Sequence, residues 1–154
     1  MKNVLISGGT GLIGKALTKL LLDKGYKVSI LSRSEKNIPN IKTYVWDVKS
    51  QTIDENAIKN ADYIIHLAGT NIGDARWTED VKKDIILSRK DSTSLLYKAI
   101  KKHKPNLQAF LSSSAVGFYG LKESEKVFTE KDKAGKDFLA GVCVNLFYAK
   151  FRNL

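Results

Sequence analysis

Three glycines, Gly8, Gly11 and Gly14, stand three residues apart in the run Ser7-Gly8-Gly9-Thr10-Gly11-Leu12-Ile13-Gly14. That spacing suits an anion cradle. Glycines permit a tight turn, close approach of the backbone to a pyrophosphate, and close packing of a helix on a strand. A helix start adds unpaired N–H groups and a partial positive charge. The run follows a short apolar stretch and opens a segment of helical character, the context in which such a pattern carries information. Gly8, Thr10, Gly11, Leu12, Ile13 and Gly14 are therefore expected to hold a dinucleotide. A rival reading uses the same residues, because Gly9 to Gly14 followed by Lys15-Ala16 nearly matches the phosphate loop of nucleotide hydrolases. That loop needs a hydroxyl on the residue after its Lys to hold magnesium, and Ala16 has none.

The second chemical signal is Ser32-Arg33, at the end of an apolar run from Lys27 to Leu31. An acidic side chain there would bond the adenosine ribose, whereas an Arg accommodates a 2′-phosphate, so Ser32 and Arg33 favour NADP over NAD. No metal constellation accompanies them. His66 and His103 are the only histidines, and Cys143, the only cysteine, allows no internal disulfide.

These residues need a scaffold, and alternation supplies it. Apolar, β-rich runs at Asn3 to Ser7, Lys27 to Leu31, Thr43 to Trp46, Tyr63 to Leu67 and Ala109 to Leu111 are separated by segments with helical periodicity. Leu12 to Lys24 carries Leu12, Ala16 and Leu20 in one row; Asp54 to Asn60 is long enough for two turns. Thr78 to Lys102 carries Val81, Ile85, Ile86, Leu95, Leu96, Ala99 and Ile100, and Phe138 to Phe147 could form a last helix. The order β-α-β-β-α-β-α-β-α predicts an α/β fold, a Rossmann-type doubly wound parallel sheet in the strand order 3-2-1-4-5, with the cofactor at the C-terminal strand ends. One domain covers residues 1–154.

Composition agrees with a globular chain: 154 residues, 43% hydrophobic and 27% charged, with no apolar run long enough to span a membrane. A net charge of +10 raises the question of nucleic acid, but only four of the 26 basic residues are Arg (Arg33, Arg76, Arg89 and Arg152) and the lysines are dispersed, so no nucleic-acid partner is expected. The N-terminus has too short an apolar stretch for a signal peptide, which makes a cytoplasmic location the expectation.

Further motifs appear in register: Asp47 after the third run, His66-Leu67-Ala68-Gly69 after the fourth, Arg76-Trp77, Ser88-Arg89 with Thr93, Ser112-Ser113-Ser114-Ala115-Val116-Gly117-Phe118-Tyr119-Gly120, and Asp137-Phe138-Leu139-Ala140. Together with the glycine run they resemble the extended and atypical short-chain dehydrogenase/reductases. The resemblance is closest to the sugar-nucleotide-epimerase-like branch, the NAD-dependent epimerase/dehydratase family. It implies that Asp47 meets the adenine amino group, with a turn-capping Asp as the alternative. It implies that Leu67, Ala68 and Gly69 let the cofactor lie across the sheet. Arg89 then sits close to the cofactor, oriented by Asp84.

Chemistry in that superfamily uses a Ser, a Tyr and a Lys, and Ser114 matches the Ser, making it the expected catalytic residue. Tyr97 to Lys101 has the Tyr-x-x-x-Lys spacing but precedes Ser114, and Tyr148 to Arg152 lacks the Lys. Leu146-Phe147 also stand where the similar branch has Trp-Glu. Relatives of this kind run to about twice this length, so the chain reads as an N-terminal half without its substrate domain, exposing a sheet edge that favours self-association. Two functions follow: the NADP-binding part of an epimerase/dehydratase-like oxidoreductase acting on a nucleotide-sugar-like or other hydroxyl/carbonyl substrate, or a non-catalytic dinucleotide-binding module or cofactor sensor.

Overall fold

A computed structural model describes residues 1–103, 105–121 and 125–148. The strands are β1 (Asn3–Ser7), β2 (Lys27–Ser32), β3 (Lys42–Asp47), β4 (Thr52–Ile53), β5 (Tyr63–His66) and β6 (Ala109–Ser112). The helices are α1 (Leu12–Asp23), α2 (Glu55–Lys59), α3 (Glu79–His103) and α4 (Phe138–Tyr148), with a 3₁₀ turn at Val116–Tyr119. The sheet runs β4-β3-β2-β1-β5-β6. The expected order 3-2-1-4-5 is thus present as β3-β2-β1-β5-β6, all parallel. The two-residue β4, too short to leave a periodic signal, is added antiparallel beyond β3. No helix among the described residues is long and apolar enough to cross a membrane.

Period-two alternation sorts the strand residues into two cores. Val4 and Ile6 of β1 join Val28 and Ile30 of β2 against α1 residues Leu17, Leu21 and Leu22. Leu5, Leu31, Tyr44, Trp46 and Ile64 point the other way and meet Leu95, Leu96, Ala99 and Ile100 of α3 with Ala57 and Ile58 of α2. His66 and Ser7 share that second side, where an all-apolar layer would be expected.

The expected helix α1 buries a face other than its row of apolar residues. The row Leu12, Ala16, Leu20 is not the buried one: Leu12 is 90% and Leu20 51% exposed, while Gly14 and Thr18 are buried. The cause lies at the helix start. A Cβ on Gly14 would stand 2.6 Å from the Gly9 Cα, so backbone contact there fixes the rotation of the helix and turns Gly14, Thr18 and Leu21 inward. In α3 the expectation holds for Ile85, Leu95, Leu96, Ala99 and Ile100, while Val81 and Ile86 are half-buried. The last strand, β6, forms one sheet edge, and its Leu111 is 51% exposed.

Candidate functional site

The C-terminal ends of β1, β2, β3 and β5 open into a cleft of about 620 Å³. Its floor is set by the glycine turn. Gly8 has φ +76°, and a side chain on it would meet the Leu67 carbonyl carbon at 2.9 Å and the Ala68 nitrogen at 3.0 Å, so β1 and β5 touch there through backbone alone. The Gly11 N–H is used by the Gly8 carbonyl at 3.0 Å. No side chain caps α1 behind it, and no acidic residue sits in its first turn. The opening N–H groups of α1, at Leu12 and Ile13, are thereby left for an external acceptor. Gly8, Thr10 and Gly11 line the cleft, whereas Lys15 lines a different groove beyond the loop, which separates this turn from a phosphate loop whose Lys reaches its ligand.

The far wall comes from β2 and β3. Ser32, Arg33, Ser34 and Lys36 line it with Trp46 and Val48. Ser32 is buried and Arg33 exposed. Among the described residues no carboxylate pairs with the Arg33 guanidinium or the Lys36 ammonium, so both cations are available at that rim. Lys36, Trp46 and Val48 were not singled out from the sequence: Trp46 reads as one member of an apolar strand, and Lys36 as one lysine among many.

Asp47 caps a turn. Its Oδ1 accepts from the Lys49 N–H at 2.8 Å and the Ser50 N–H at 3.3 Å, closing the turn between β3 and β4. A hydrogen bond from the Ser50 side chain, and then those backbone bonds, hold its carboxyl below the usual range, and the residue does not line the cleft. Leu67, Ala68 and Gly69 do line it. Gly69 has an additional reason to be small, because a Cβ there would stand 2.9 Å from the Arg89 Cζ.

Arg89 is half-buried in α3, and its Nη1 donates to the carbonyls of Thr70 and Ile85, each at 3.0 Å. Asp84 is exposed and lies outside the cleft, and among the described residues the bonds of Arg89 go to the Thr70 and Ile85 carbonyls, not to Asp84. Geometry explains it: residues five apart on a helix do not face each other, whereas Ile85, four before Arg89, does. Beside Arg89, the Ser88 Oγ accepts from the Thr70 N–H at 3.0 Å, so α3 holds the loop after β5 by two contacts.

Beneath the cleft lies a polar chain. His66, 2% exposed, has Nδ1 2.5 Å from the Ser7 Oγ and Nε2 3.1 Å from the Ser92 Oγ. Ser92 in turn donates to the Arg89 carbonyl at 3.1 Å. With that proton committed, Ser92 accepts from Nε2–H, which leaves Nδ1 to accept from the Ser7 hydroxyl. Burial, then the Arg89 charge, pushes the His66 pKa down to about 4, so the ring is neutral at pH 7. Trp46 and Phe110 flank it, with ring centroids 6.5 and 6.4 Å away.

Ser114 lies past the end of β6, exposed, in the stretch before the 3₁₀ turn. Its neighbour Ser113 donates its N–H to the His66 carbonyl at 3.1 Å, which sets this segment beside the end of β5. Tyr119 follows, its hydroxyl committed to the Thr129 carbonyl at 3.0 Å and its ring stacked on Phe128. Tyr97 sits in α3 away from the cleft lining. Arg152 lies outside the described residues. The Asp137-Phe138-Leu139-Ala140 motif proves to be a helix start: the Asp137 carboxylate accepts from the Ala140 N–H at 3.0 Å and from the Leu121 N–H at 2.8 Å. Phe138 meets Trp77 edge to face at 5.4 Å, tying α4 to the segment before α3.

Residues 4–138 match the model of the NAD dependent epimerase/dehydratase family. The chain belongs to that family. Among curated relatives, an epimerase family protein of Bacillus subtilis, YfhF, is 36% identical over 140 residues, which is 90% of this chain and 46% of that protein. The human epimerase family protein SDR39U1 is 35% identical over 137 residues, 88% of this chain and 43% of that one. The chain therefore spans about half the length of the relatives it matches. Among solved structures, human SDR39U1 with NADPH superimposes with a TM-score of 0.78 at 31% identity, covering 96% of this chain and 48% of that one. A nucleoside-diphosphate sugar epimerase from Corynebacterium glutamicum gives 0.78 at 32%, covering 96% and 30%. As a member of this family the chain has the family's NAD(P)-binding fold, and its cleft occupies the strand ends where such folds hold a dinucleotide.

Proposed function

We propose that this chain is the cofactor-binding part of an epimerase/dehydratase-family oxidoreductase and that it takes NADPH in preference to NADH. The observation that carries the reading is that the uncapped start of α1 and the unpaired cations Arg33 and Lys36 border one cleft. A pyrophosphate fits the first, and a 2′-phosphate fits the second. The NADPH-bound human relative adds support. The residues fit the group because the cradle tolerates no side chain at Gly8 or Gly14.

When bound, the nicotinamide supplies hydride transfer to or from a hydroxyl or carbonyl carbon. This chain's own residues bind and orient it. Leu12 and Ile13 offer backbone N–H groups, Thr10 its hydroxyl, Ser32 and Arg33 the ribose-phosphate contacts, and Trp46 and Val48 an apolar wall. Leu67, Ala68 and Gly69 leave room at the strand end. Asp47 keeps its turn, and Arg89 holds the 69–70 loop. Ser114 is proposed to hydrogen-bond the reacting oxygen of a nucleotide-sugar-like or other hydroxyl/carbonyl substrate.

A second reading, a dinucleotide-binding module without catalysis, is favoured by Tyr119, whose hydroxyl is already bonded to Thr129 and so is poorly placed to exchange a substrate proton. Calorimetric titration of NADPH and NADH tests the first proposal. NADPH should bind more tightly, and Arg33→Ala should remove the difference, a loss of about 1.5 to 3 kcal/mol for a charge-assisted phosphate contact. Equal affinities in the unmodified chain would sink the preference. Absence of NADPH oxidation with carbonyl substrates, despite tight binding, would favour the module.

A further inference from the structure

We infer that His66 is a positioning residue for the dinucleotide: its buried ring, bonded to Ser7 and Ser92, sets the spacing of the segments that build the cofactor cleft. The inference rests on the dinucleotide reading above and adds to it a residue that the reading leaves unused. Three segments of the proposed site meet at His66. Its Nδ1 accepts from Ser7, the last residue of β1 and the one before Gly8. Its Nε2–H goes to Ser92 of α3, which donates onward to the Arg89 carbonyl. Ser92 lies within one helical turn of Ser88 and Arg89, whose side chains grip the Thr70 N–H and carbonyl. The His66 carbonyl accepts from the Ser113 N–H at 3.1 Å and the Ser113 hydroxyl at 3.4 Å, which fixes the stretch that carries Ser114. Leu67, next in the chain, is the residue whose backbone leaves no room for a side chain on Gly8. A displaced ring therefore shifts the glycine turn, the strand-end floor and the 69–70 loop relative to one another.

Burial makes the action indirect. His66 is 2% exposed, Ser92 1% and Ser7 0%, so the cluster acts on a bound cofactor through the backbone it holds. Core packing alone does not call for polar groups here. Trp46 and Phe110 flank the ring, and the layer to which Trp46 belongs is built from apolar side chains. Replacing every member of a buried polar set by apolar groups of similar shape is often close to neutral for stability. What a fully bonded polar chain adds is one fixed direction for each member. A cleft that grips its anion with backbone N–H groups needs that property, because its donors must be held to within about 0.5 Å.

The test sets NADPH affinity against stability. Ser7→Ala, His66→Phe and Ser92→Ala, combined in one chain, make the cluster apolar. Calorimetry should then show NADPH weakened by about tenfold, the scale of lost preorganisation, while the urea midpoint at pH 7.5 stays near that of the parent. His66→Gln replaces the ring by an amide with one acceptor and one donor, and most of the affinity should return. Nitrogen NMR supplies a further signature, since His66 and His103 are the only histidines. The His66 ring should report the Nε2–H tautomer and shift when NADPH binds, although it is sealed from the cleft. The inference is overturned if the folded apolar variant binds NADPH as well as the parent, if affinity falls only in step with stability, or if His66→Gln binds no better than the apolar variant. Should the triple variant not fold, Ser7→Ala, which removes one bond, is read by the same comparison. A parent chain that binds no dinucleotide at all would sink the reading underneath and this inference with it, whereas a parent that binds and variants that bind equally well sink this inference alone.

Discussion

The Ser7 hydroxyl and the His66 Nδ1 lie 2.5 Å apart, joining the end of β1 to the end of β5 directly under the cofactor cleft. Because the ring's Nε2–H is given to Ser92, a second proton on His66 would face the Ser7 hydroxyl in a buried space and break the chain that reaches Arg89.

Stability should therefore depend on pH through His66. The folded pKa is about 4 against an ordinary value of 6.5, so between those limits the unfolded chain binds a proton that the folded chain does not. Stability is fully present above pH 6.5 and falls as pH drops toward 4, by roughly 3 kcal/mol in total. The lowered carboxylates, such as Asp62 and Asp137, lose their contribution below that window and are separable from it. Urea denaturation at pH 7.5, 6, 5 and 4.5 should show the slope, and His66→Gln should flatten it. An unchanged slope in the variant would assign the acid limb to other groups.

Two helical glycines should respond with opposite signs. At Gly14 a Cβ meets backbone of Gly8 and Gly9, which cannot give way cheaply, so Gly14→Ala should destabilise by roughly 1 to 3 kcal/mol and weaken dinucleotide binding. At Gly141 a Cβ meets nothing within 4 Å, so Gly141→Ala should stabilise by about 0.5 to 1 kcal/mol. Thermal melts of the two variants decide this, and losses in both would mean that α4 needs its glycine for another reason.

Asp137→Ala should loosen two places at once, because one carboxylate bonds the Ala140 N–H at the start of α4 and the Leu121 N–H after the 3₁₀ turn. Hydrogen exchange at both amides should quicken while the β1 amides stay protected. Faster exchange at Ala140 alone would reduce the residue to a simple helix cap.

Ser114→Ala should leave NADPH affinity nearly unchanged, since Ser114 is exposed and lies outside the cleft lining. If calorimetry instead showed cofactor binding lost, Ser114 would be a cofactor contact and its proposed place beside the substrate would be wrong.

Much of the fold was legible because it rests on local patterns. The glycine spacing after an apolar run gave the turn and its helix, and alternating runs gave five parallel strands in the right order. β4 was not legible, since two residues carry no period. The inward face of α1 was not legible in its row of Leu12, Ala16 and Leu20, because the contact of Gly14 with the Gly8 and Gly9 backbone sets the rotation.

Within the site, residue types and local turns were readable: the anion cradle of Gly8 to Gly14, the cation Arg33 after β2, and the capacity of Asp47 to close a turn. These depend on neighbours a few positions away. What joins distant segments was decided only by the tertiary structure. Ser7, His66 and Ser92 form one buried chain because period-two alternation on two strands and a helical turn of α3 aim them at one point. Arg89 turned to Thr70 and not to Asp84 because the loop after β5 folds back over α3. Lys36 and Trp46 reach the cofactor cleft because sheet pairing carries the ends of β2 and β3 to the same edge as the glycine turn. Sequence spacing encodes contacts within a turn of helix or a step of strand; contacts between elements are set by packing and pairing, which no single stretch of sequence contains.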